Sequence, residues 1–124
     1  PARFARHQLN SDALIAGLTA LGLPPLPLAG QRLPMLTCVT VPASIPEADI
    51  RANLLSTYGI EIGGGLGPLK GKAWRIGLMG ESSTEAHVLT LLNALEELCI
   101  RGGWLSTPGV SLQAAAQVYS RRNS

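Results

Sequence analysis

The stretch GKAWRIGLMG, residues 71–80, indicates a β-strand with two unlike faces. Side chains alternate across a strand, so Trp74, Ile76 and Leu78 share an apolar face. The opposite face carries Arg75, which stands between an alanine and a glycine. Such a charge can simply meet solvent, but small neighbours also leave room for a carboxylate beside the guanidinium. Arg75 is therefore a candidate anion-binding residue on a strand whose other side faces the core.

Helix and strand patterns outside this stretch predict the order α-β-α-β-β-α-α. The predicted elements are an incoming helix over 1–22, a strand over 34–42, helices over 46–58 and from Ser82 to about Ile100, a short strand over 60–62 before the one at 71–80, and a tail helix within 104–124. Ser82 is the predicted N-cap of its helix because Glu85 stands three residues later, as in a capping box. Antiparallel strands with helices on one face form an α+β two-layer sandwich, which is the predicted fold class.

The composition is that of one globular domain. The chain has 124 residues, of which 46% are hydrophobic, 15% charged and 4% aromatic, so the core is predicted to be mainly aliphatic. A net charge of +2, without a basic run interleaved with aromatics, argues against nucleic acid as a partner. No apolar run approaches the length of a membrane span, which argues against a membrane. Glu96 and Glu97 are predicted to be solvated.

Cysteine and histidine usage predicts neither a disulfide nor a metal site. Cys38 and Cys99 lie far apart in apolar contexts, which favours buried, reduced thiols in a cytoplasmic protein. His7 and His87 supply no ligand spacing around either cysteine, so no metal is predicted.

The run GGGLGPLKGK, residues 63–72, is too rich in glycine for regular structure. Bare amides and lysines would suit a phosphate, but the Ser or Thr of a P-loop is missing after Lys72, and a strand follows where a P-loop has a helix. A glycine loop of this kind more often marks a turn where another backbone approaches closely. Lys70 and Lys72 are predicted to be exposed loop charges.

The segment IEIGGGLGPLKGKAWRIGLMGESSTEAHV, residues 60–88, strongly resembles the C-terminal small domain of alanine–glyoxylate and serine–pyruvate aminotransferases. These are fold-type I, class V enzymes that use pyridoxal 5'-phosphate. The resemblance begins near RFARH at 3–7, passes through RLPMLTCVTVP at 32–42 and continues through LLNALEEL at 91–98. The tail SLQAAAQVYSRR, residues 111–122, is similar to the end of bacterial ureidoglycine–glyoxylate aminotransferases.

The resemblance implies a role for the arginine of the RIG motif, which in that family binds the α-carboxylate of the amino or oxo acid. The matching residue is Arg75, and a planar guanidinium can form two parallel hydrogen bonds to a carboxylate. The alternative is a salt bridge across a domain interface. The adjoining loop is a candidate active-site loop, formed by Gly63, Gly64, Gly65, Leu66 and Gly67.

By the same resemblance, the full-length enzyme would transfer an amino group to glyoxylate. The donor is expected to be (S)-ureidoglycine, in purine and allantoin catabolism. The alternative is alanine or serine as donor, with glyoxylate or pyruvate as acceptor. Two further alternatives are a stand-alone module that binds small carboxylates and a structural interaction domain in which Arg75 only forms a salt bridge.

Neither lysine of the chain matches the Schiff-base position of that family, so no catalytic or cofactor-binding residue is assigned. The expectation is a C-terminal small domain over 1–124 whose large, cofactor-binding domain is absent, and which is inactive by itself. The expected partners are that large domain, a second copy in a homodimer, and amino acid and oxo acid substrates. The face with Arg75 and the glycine loop is expected to expose apolar surface and to self-associate.

Overall fold

The computed structural model describes residues 2–25, 36–77, 84–105 and 107–121. The helices are α1 (Ala2–Ala20), α2 (Glu47–Tyr58), α3 (Glu85–Arg101) and α4 (Val110–Ser120), and the strands are β1 (Leu36–Thr40), β2 (Gly63–Gly64) and β3 (Ala73–Gly77). A short 3-10 helix, Gly67–Leu69, lies between β2 and β3. This architecture confirms the predicted α+β fold class. No helix in the described ranges is long and apolar enough to cross a membrane.

The three strands form one antiparallel sheet in the order β1-β3-β2. β3 is the central strand, and Arg75 at its midpoint lies opposite Cys38 of β1 and Gly63 of β2. The neighbouring position pairs Trp74 with Val39 of β1. Because directly opposed residues share a face of the sheet, Arg75 stands with a cysteine and a glycine, whereas Trp74 stands with core-forming side chains.

One face of the sheet belongs to the hydrophobic core. Trp74 is fully buried and Ile76 is 2% exposed, which confirms the predicted apolar face of the central strand. Leu78, the third residue predicted for that face, lies outside the described residues. The same hydrophobic cluster contains leucines of α1 and α3, namely Leu14, Leu18, Leu91, Leu92 and Leu95.

The predicted strand over 60–62 is displaced to the two glycines that follow it. Ile60 and Ile62 are buried in the hydrophobic core but belong to no strand. The amide of Ile60 donates to the Leu54 carbonyl at 3.0 Å, which closes the C-terminal end of α2. The alternation of isoleucine and glutamate therefore reflects packing of the isoleucines beneath α2. The strand that pairs with β3 consists instead of the two glycines Gly63 and Gly64.

Thr84, and not the predicted Ser82, is the N-cap of α3. Its hydroxyl accepts a hydrogen bond from the His87 amide at 3.1 Å, and the helix begins at the next residue, Glu85. Ser82 itself lies outside the described residues. The run of three hydroxyl residues offers several caps within one turn, and the motif alone does not separate them.

Glu96 joins α3 to the beginning of α4. Its carboxylate accepts hydrogen bonds from the amides of Gly109 at 2.7 Å and Ser111 at 3.1 Å, and from the Ser111 hydroxyl at 2.8 Å. Glu96 is 5% exposed, so the prediction that it is solvated was wrong. Burial by itself raises the pKa of Glu96, but the hydrogen bonds from Gly109 and Ser111 together outweigh it and hold the pKa below its ordinary value.

Two close contacts fix α1 against its neighbours. The Tyr119 hydroxyl of α4 donates to Oδ1 of Asn10 at 2.7 Å, and both residues are buried. Gly17 packs against α3, where a Cβ at this position would collide with Cδ1 of Leu92. The helices therefore meet at a glycine because no larger residue leaves enough space.

Candidate functional site

Arg75 lies half-buried at the centre of the sheet, on the face that does not join the core. Its Nε donates a hydrogen bond to the carbonyl of Gly64 at 2.8 Å, which fixes the direction of the guanidinium. Among the described residues, both ion pairs lie elsewhere, on α2 and α3, and no carboxylate is within 4 Å of Arg75. The side chain thus carries a positive charge with hydrogen-bonding capacity to spare.

The glycine loop leaves space for this guanidinium. A Cβ at Gly63, directly opposite Arg75, would lie 3.1 Å from Nη2. Real Cβ contacts are rarely so short, so any other residue would push the guanidinium aside. Further along the loop, a Cβ at Gly65 would collide with the carbonyl oxygen of Leu69, because the loop folds back on its own backbone.

The five residues predicted as an active-site loop therefore have different roles. Gly63 and Gly64 form β2, Gly65 permits the close backbone approach, and Gly67 begins the 3-10 helix with a φ of +57°. Leu66 is 66% exposed, the largest exposed fraction among the large hydrophobic residues described. Of this loop, Gly63 and Gly64 are the residues brought into contact with Arg75.

A second charged group on the inner side of the loop was missed by the sequence analysis. Nε of Arg51 donates to Oε2 of Glu47 at 2.8 Å, and Nε1 of Trp74 donates to the same oxygen at 3.1 Å. The pairing of Glu47 with Arg51 has a sequence signal, since the two stand four residues apart on a helix. The bond from Trp74 has none, since 27 residues separate the partners.

Glu47 and Arg51 each favour the ionised form of the other. The hydrogen bond from Arg51 lowers the pKa of Glu47, against the opposing effect of burial. The same bond raises the pKa of Arg51. Side-chain exposure is 33% for Arg51 and 10% for Glu47, so the pair is shielded from solvent much more than a surface ion pair.

The two cysteines differ in their surroundings. Cys38 is half-buried beside Arg75, whereas Cys99 is 1% exposed, and both are free thiols. Burial raises the pKa of Cys99, and the charge of Glu96 adds to this effect. The prediction of two buried thiols is thus confirmed for Cys99, while Cys38 is more open. The described part of the chain has no cluster of His, Cys, Asp or Glu that could hold a metal ion.

Lys70 and Lys72 are exposed, as the sequence predicts. An aminotransferase cofactor needs a lysine inside a pocket to hold its aldehyde carbon, and exposed ammonium groups on a loop do not fit that requirement. These two are the chain's only lysines. The lysines of this chain therefore do not fit pyridoxal 5'-phosphate.

Comparison with known proteins places this architecture among the aminotransferases. The chain is 42% identical over 117 residues to the (S)-ureidoglycine–glyoxylate transaminase of Bacillus subtilis, a match that covers 94% of this chain. It is 48% identical over 100 residues, or 76% of its length, to the alanine–glyoxylate aminotransferase of Callithrix jacchus. No family model matches the sequence.

Solved structures give the same result. The crystal structure of the Bacillus subtilis ureidoglycine–glyoxylate aminotransferase matches 95% of this chain with a TM-score of 0.87, and the match covers 30% of that chain. The pyridoxamine–pyruvate aminotransferase of Mesorhizobium loti matches 98% of this chain with a TM-score of 0.86 at 30% identity, and 31% of that chain is covered.

Fold and sequence together define an aminotransferase domain of the α+β type. The chain belongs to the family of alanine/serine–glyoxylate aminotransferases, in which it corresponds to the C-terminal domain. It spans 28% of the length of the Bacillus subtilis relative and 23% of the Callithrix jacchus relative.

Proposed function

We propose that this chain is the substrate-carboxylate-binding part of a pyridoxal 5'-phosphate-dependent aminotransferase that uses glyoxylate as amino acceptor. The observation that carries the proposal is the guanidinium of Arg75. It is half-buried, its Nε is bound to the Gly64 carbonyl, and within the described residues it has no carboxylate partner.

Arg75 has the properties that recognition of a small carboxylate requires. A guanidinium always carries its charge, and its planar edge matches the two oxygens of a carboxylate. The backbone bond at Nε limits rotation of the side chain, so less entropy is lost when an anion binds. Half-burial strengthens the attraction relative to a fully solvated arginine, because water screens the charges less.

The role of Arg75 is orientation of the substrate. When bound in the complete enzyme, pyridoxal 5'-phosphate supplies the carrier for the amino group. Arg75 would hold the carboxylate of glyoxylate or of the amino acid so that the neighbouring carbon atom faces that cofactor. The lysine and the phosphate-binding groups are proposed to lie in a larger domain outside these 124 residues.

We propose (S)-ureidoglycine as the amino donor, which would place the enzyme in purine and allantoin catabolism. The name of the Bacillus subtilis relative and the coverage of 94% of this chain support that choice. Alanine or serine is the second candidate, because the Callithrix jacchus alanine–glyoxylate aminotransferase is 48% identical over its shorter match. We further propose a homodimer in the cytoplasm as the working form.

The exposed loop residue Leu66 supports a buried position of this face in the complete enzyme. Leu66, in the loop that follows β2, is 66% exposed, and a partner surface that covered it would remove apolar area from water. In the absence of that surface, the 124-residue chain is expected to self-associate through this face. Sedimentation at high concentration tests this, and Leu66→Ser is expected to weaken the association.

The test is a transamination assay on the protein assembled with its cofactor-binding domain and pyridoxal 5'-phosphate. Glycine formation from glyoxylate is measured with (S)-ureidoglycine, alanine or serine as donor. The proposal expects glyoxylate to be used and (S)-ureidoglycine to give the highest kcat/KM. Preference for alanine or serine would select the second candidate, and no turnover with any donor would contradict the proposal.

The stand-alone carboxylate-binding module is tested on the 124-residue chain itself. That alternative predicts that glyoxylate or an amino acid raises the melting temperature of the chain at concentrations near its dissociation constant. The proposal made here expects the chain to be catalytically inactive alone, and its activity to appear only with the cofactor-binding domain.

A further inference from the structure

The inner side of β2 carries a second arginine, Arg51 of α2. Its Cζ lies 3.1 Å from the position that a Cβ of Gly64 would occupy, so this guanidinium packs on the Gly64 backbone. Arg75 approaches Gly63 at the same distance from the opposite face of the sheet. The two-residue strand β2 therefore lies between two guanidinium groups. Each guanidinium can come this close to the backbone only because glycine has no side chain.

The two guanidinium groups differ in their charge pairing. Arg51 donates two hydrogen bonds to Glu47, through Nε at 2.8 Å and Nη2 at 3.2 Å. Arg75 has no carboxylate partner within the described ranges. The charge on the inner side is thus neutralised, and the charge on the outer side is left to attract an external anion.

Glu47 also ties this arrangement to the central strand. The Trp74 indole, fully buried next to Arg75 in the sequence, donates to Oε2 of Glu47 at 3.1 Å. One carboxylate therefore connects α2, the packing on β2 and the strand that carries Arg75. Hydrogen bonds to a shielded charged group are among the strongest in proteins, so this connection is stiff.

We propose that Glu47 and Arg51 are positioning residues for the carboxylate site at Arg75, and that they act through the backbone of Gly64. This inference rests on the proposed function. Arg51, fixed by its bonds to Glu47, supports Gly64 from the inner side. The carbonyl of Gly64 then accepts the hydrogen bond from Nε of Arg75 at 2.8 Å.

The arrangement determines which edge of the guanidinium receives the substrate. A guanidinium can meet a carboxylate through Nε and one terminal nitrogen, or through both terminal nitrogens. Since Nε of Arg75 is occupied by Gly64, the remaining edge consists of Nη1 and Nη2. The substrate carboxylate is therefore bound end-on, and loss of the Gly64 support would allow the competing side-on geometry.

The experiment uses Glu47→Gln and Arg51→Lys, with Glu97→Gln as the matched control. Glu47→Gln keeps an oxygen for Trp74 but loses the charge, and Arg51→Lys keeps the charge but loses the planar fork over Gly64. Glu97, on α3, pairs with an arginine four residues away, as Glu47 does, and likewise accepts a hydrogen bond from an aromatic side chain, Tyr58, at 2.6 Å. Urea unfolding and the Trp74 indole resonance verify that each variant is folded.

The first readout is the Nε–H resonance of Arg75 in the ligand-free, 15N-labelled 124-residue chain, assigned by its loss in Arg75→Lys. The inference expects this resonance to shift or broaden in Glu47→Gln and Arg51→Lys and to stay in place in Glu97→Gln. An unchanged resonance in both folded variants would overturn the inference, whatever their stability.

The second readout is the division between KM and kcat for glyoxylate in the complete enzyme. Glu47→Gln and Arg51→Lys are each expected to raise KM for glyoxylate about tenfold, an effect of the size that contacting residues have on one another. The kcat of both variants should stay close to that of the unmodified enzyme. An unchanged KM would also overturn the inference. If Arg75→Ala itself leaves both KM and kcat for glyoxylate unchanged, the proposed function has failed, and the Arg75 resonance still decides whether Glu47 orients that side chain.

Discussion

Replacing Glu96 with alanine is expected to destabilise the chain strongly without touching the Arg75 site. Glu96 accepts hydrogen bonds from Gly109 and Ser111 and is the link between α3 and the first turn of α4. Alanine would remove the acceptor and leave these donors without a partner. Ser111 is fully buried, so its amide and hydroxyl cannot be satisfied by water.

The size of the effect follows from the number of donors left unpaired. Each buried donor that loses its acceptor costs about 1–3 kcal/mol. The amide of Gly109 is half-buried and can recover part of its loss through water, which leaves the two donors of Ser111 as the main cost. We expect Glu96→Ala to lower the free energy of unfolding by about 3 kcal/mol, a large fraction of the 5–15 kcal/mol typical of a domain.

Urea unfolding followed by circular dichroism at neutral pH measures this change, and Arg101→Ala is the control. Arg101 lies on the same helix as Glu96, but its side chain is 65% exposed and that of its partner Glu97 is 42% exposed. An exposed pair of this kind contributes at most about 1 kcal/mol. Equal losses for the two variants, or a loss below about 1 kcal/mol for Glu96→Ala, would refute the reasoning.

Acid should remove the contribution of Glu96 to the stability of the fold over a defined range of pH. Its pKa in the folded chain lies below the ordinary value of 4.5, so the unfolded chain binds the proton first as the pH falls. The stability from Glu96 is therefore complete above about pH 5.5 and is lost as the pH falls through 4.5 towards the folded pKa. The difference in unfolding free energy between the natural chain and Glu96→Gln should shrink across that window, and a constant difference would contradict this account.

Two further predictions concern packing and thiol reactivity. Gly17→Ala is expected to lower the free energy of unfolding by about 1 kcal/mol, because overpacking against Leu92 exceeds the gain in helix propensity. Urea unfolding should show no such loss when the same substitution is made in a Leu92→Ala variant. In single-cysteine variants, the half-buried Cys38 is expected to react with a thiol reagent in the folded chain, whereas Cys99, with its pKa raised by burial, should react only after unfolding. Equal reaction rates in the folded state would contradict the second prediction.

The alternation of side chains along the sequence correctly predicted the two faces of β3. Period-two spacing separated Arg75 from Trp74 and Ile76, and the structure has them on opposite faces of β3. The resemblance to glyoxylate aminotransferases then gave Arg75 its expected role. Both inferences depend on local sequence. The structure confirms the separation of the two faces, and the role of Arg75 stays a prediction.

Contacts between distant segments could not be predicted in the same way. Trp74 and Glu47 are 27 residues apart, and Glu96 meets donors 13 and 15 residues away. A glutamate on a helix normally faces solvent, so only the position of α4 explains why Glu96 is buried and charged. The strand at Gly63–Gly64 escaped prediction for another reason, because glycine has low strand propensity and pairs here to let two guanidinium groups approach.

The central claim, that Arg75 binds the substrate carboxylate, is tested most directly by two acceptor aldehydes in the complete enzyme. Glyoxylate carries a carboxylate, and acetaldehyde has a methyl group in its place. We expect Arg75→Ala to lower kcat/KM for glyoxylate about 100-fold and to leave kcat/KM for acetaldehyde nearly unchanged. The surface control Arg101→Ala should leave both values nearly unchanged. Equal losses for both aldehydes, or no loss for glyoxylate, would contradict the account.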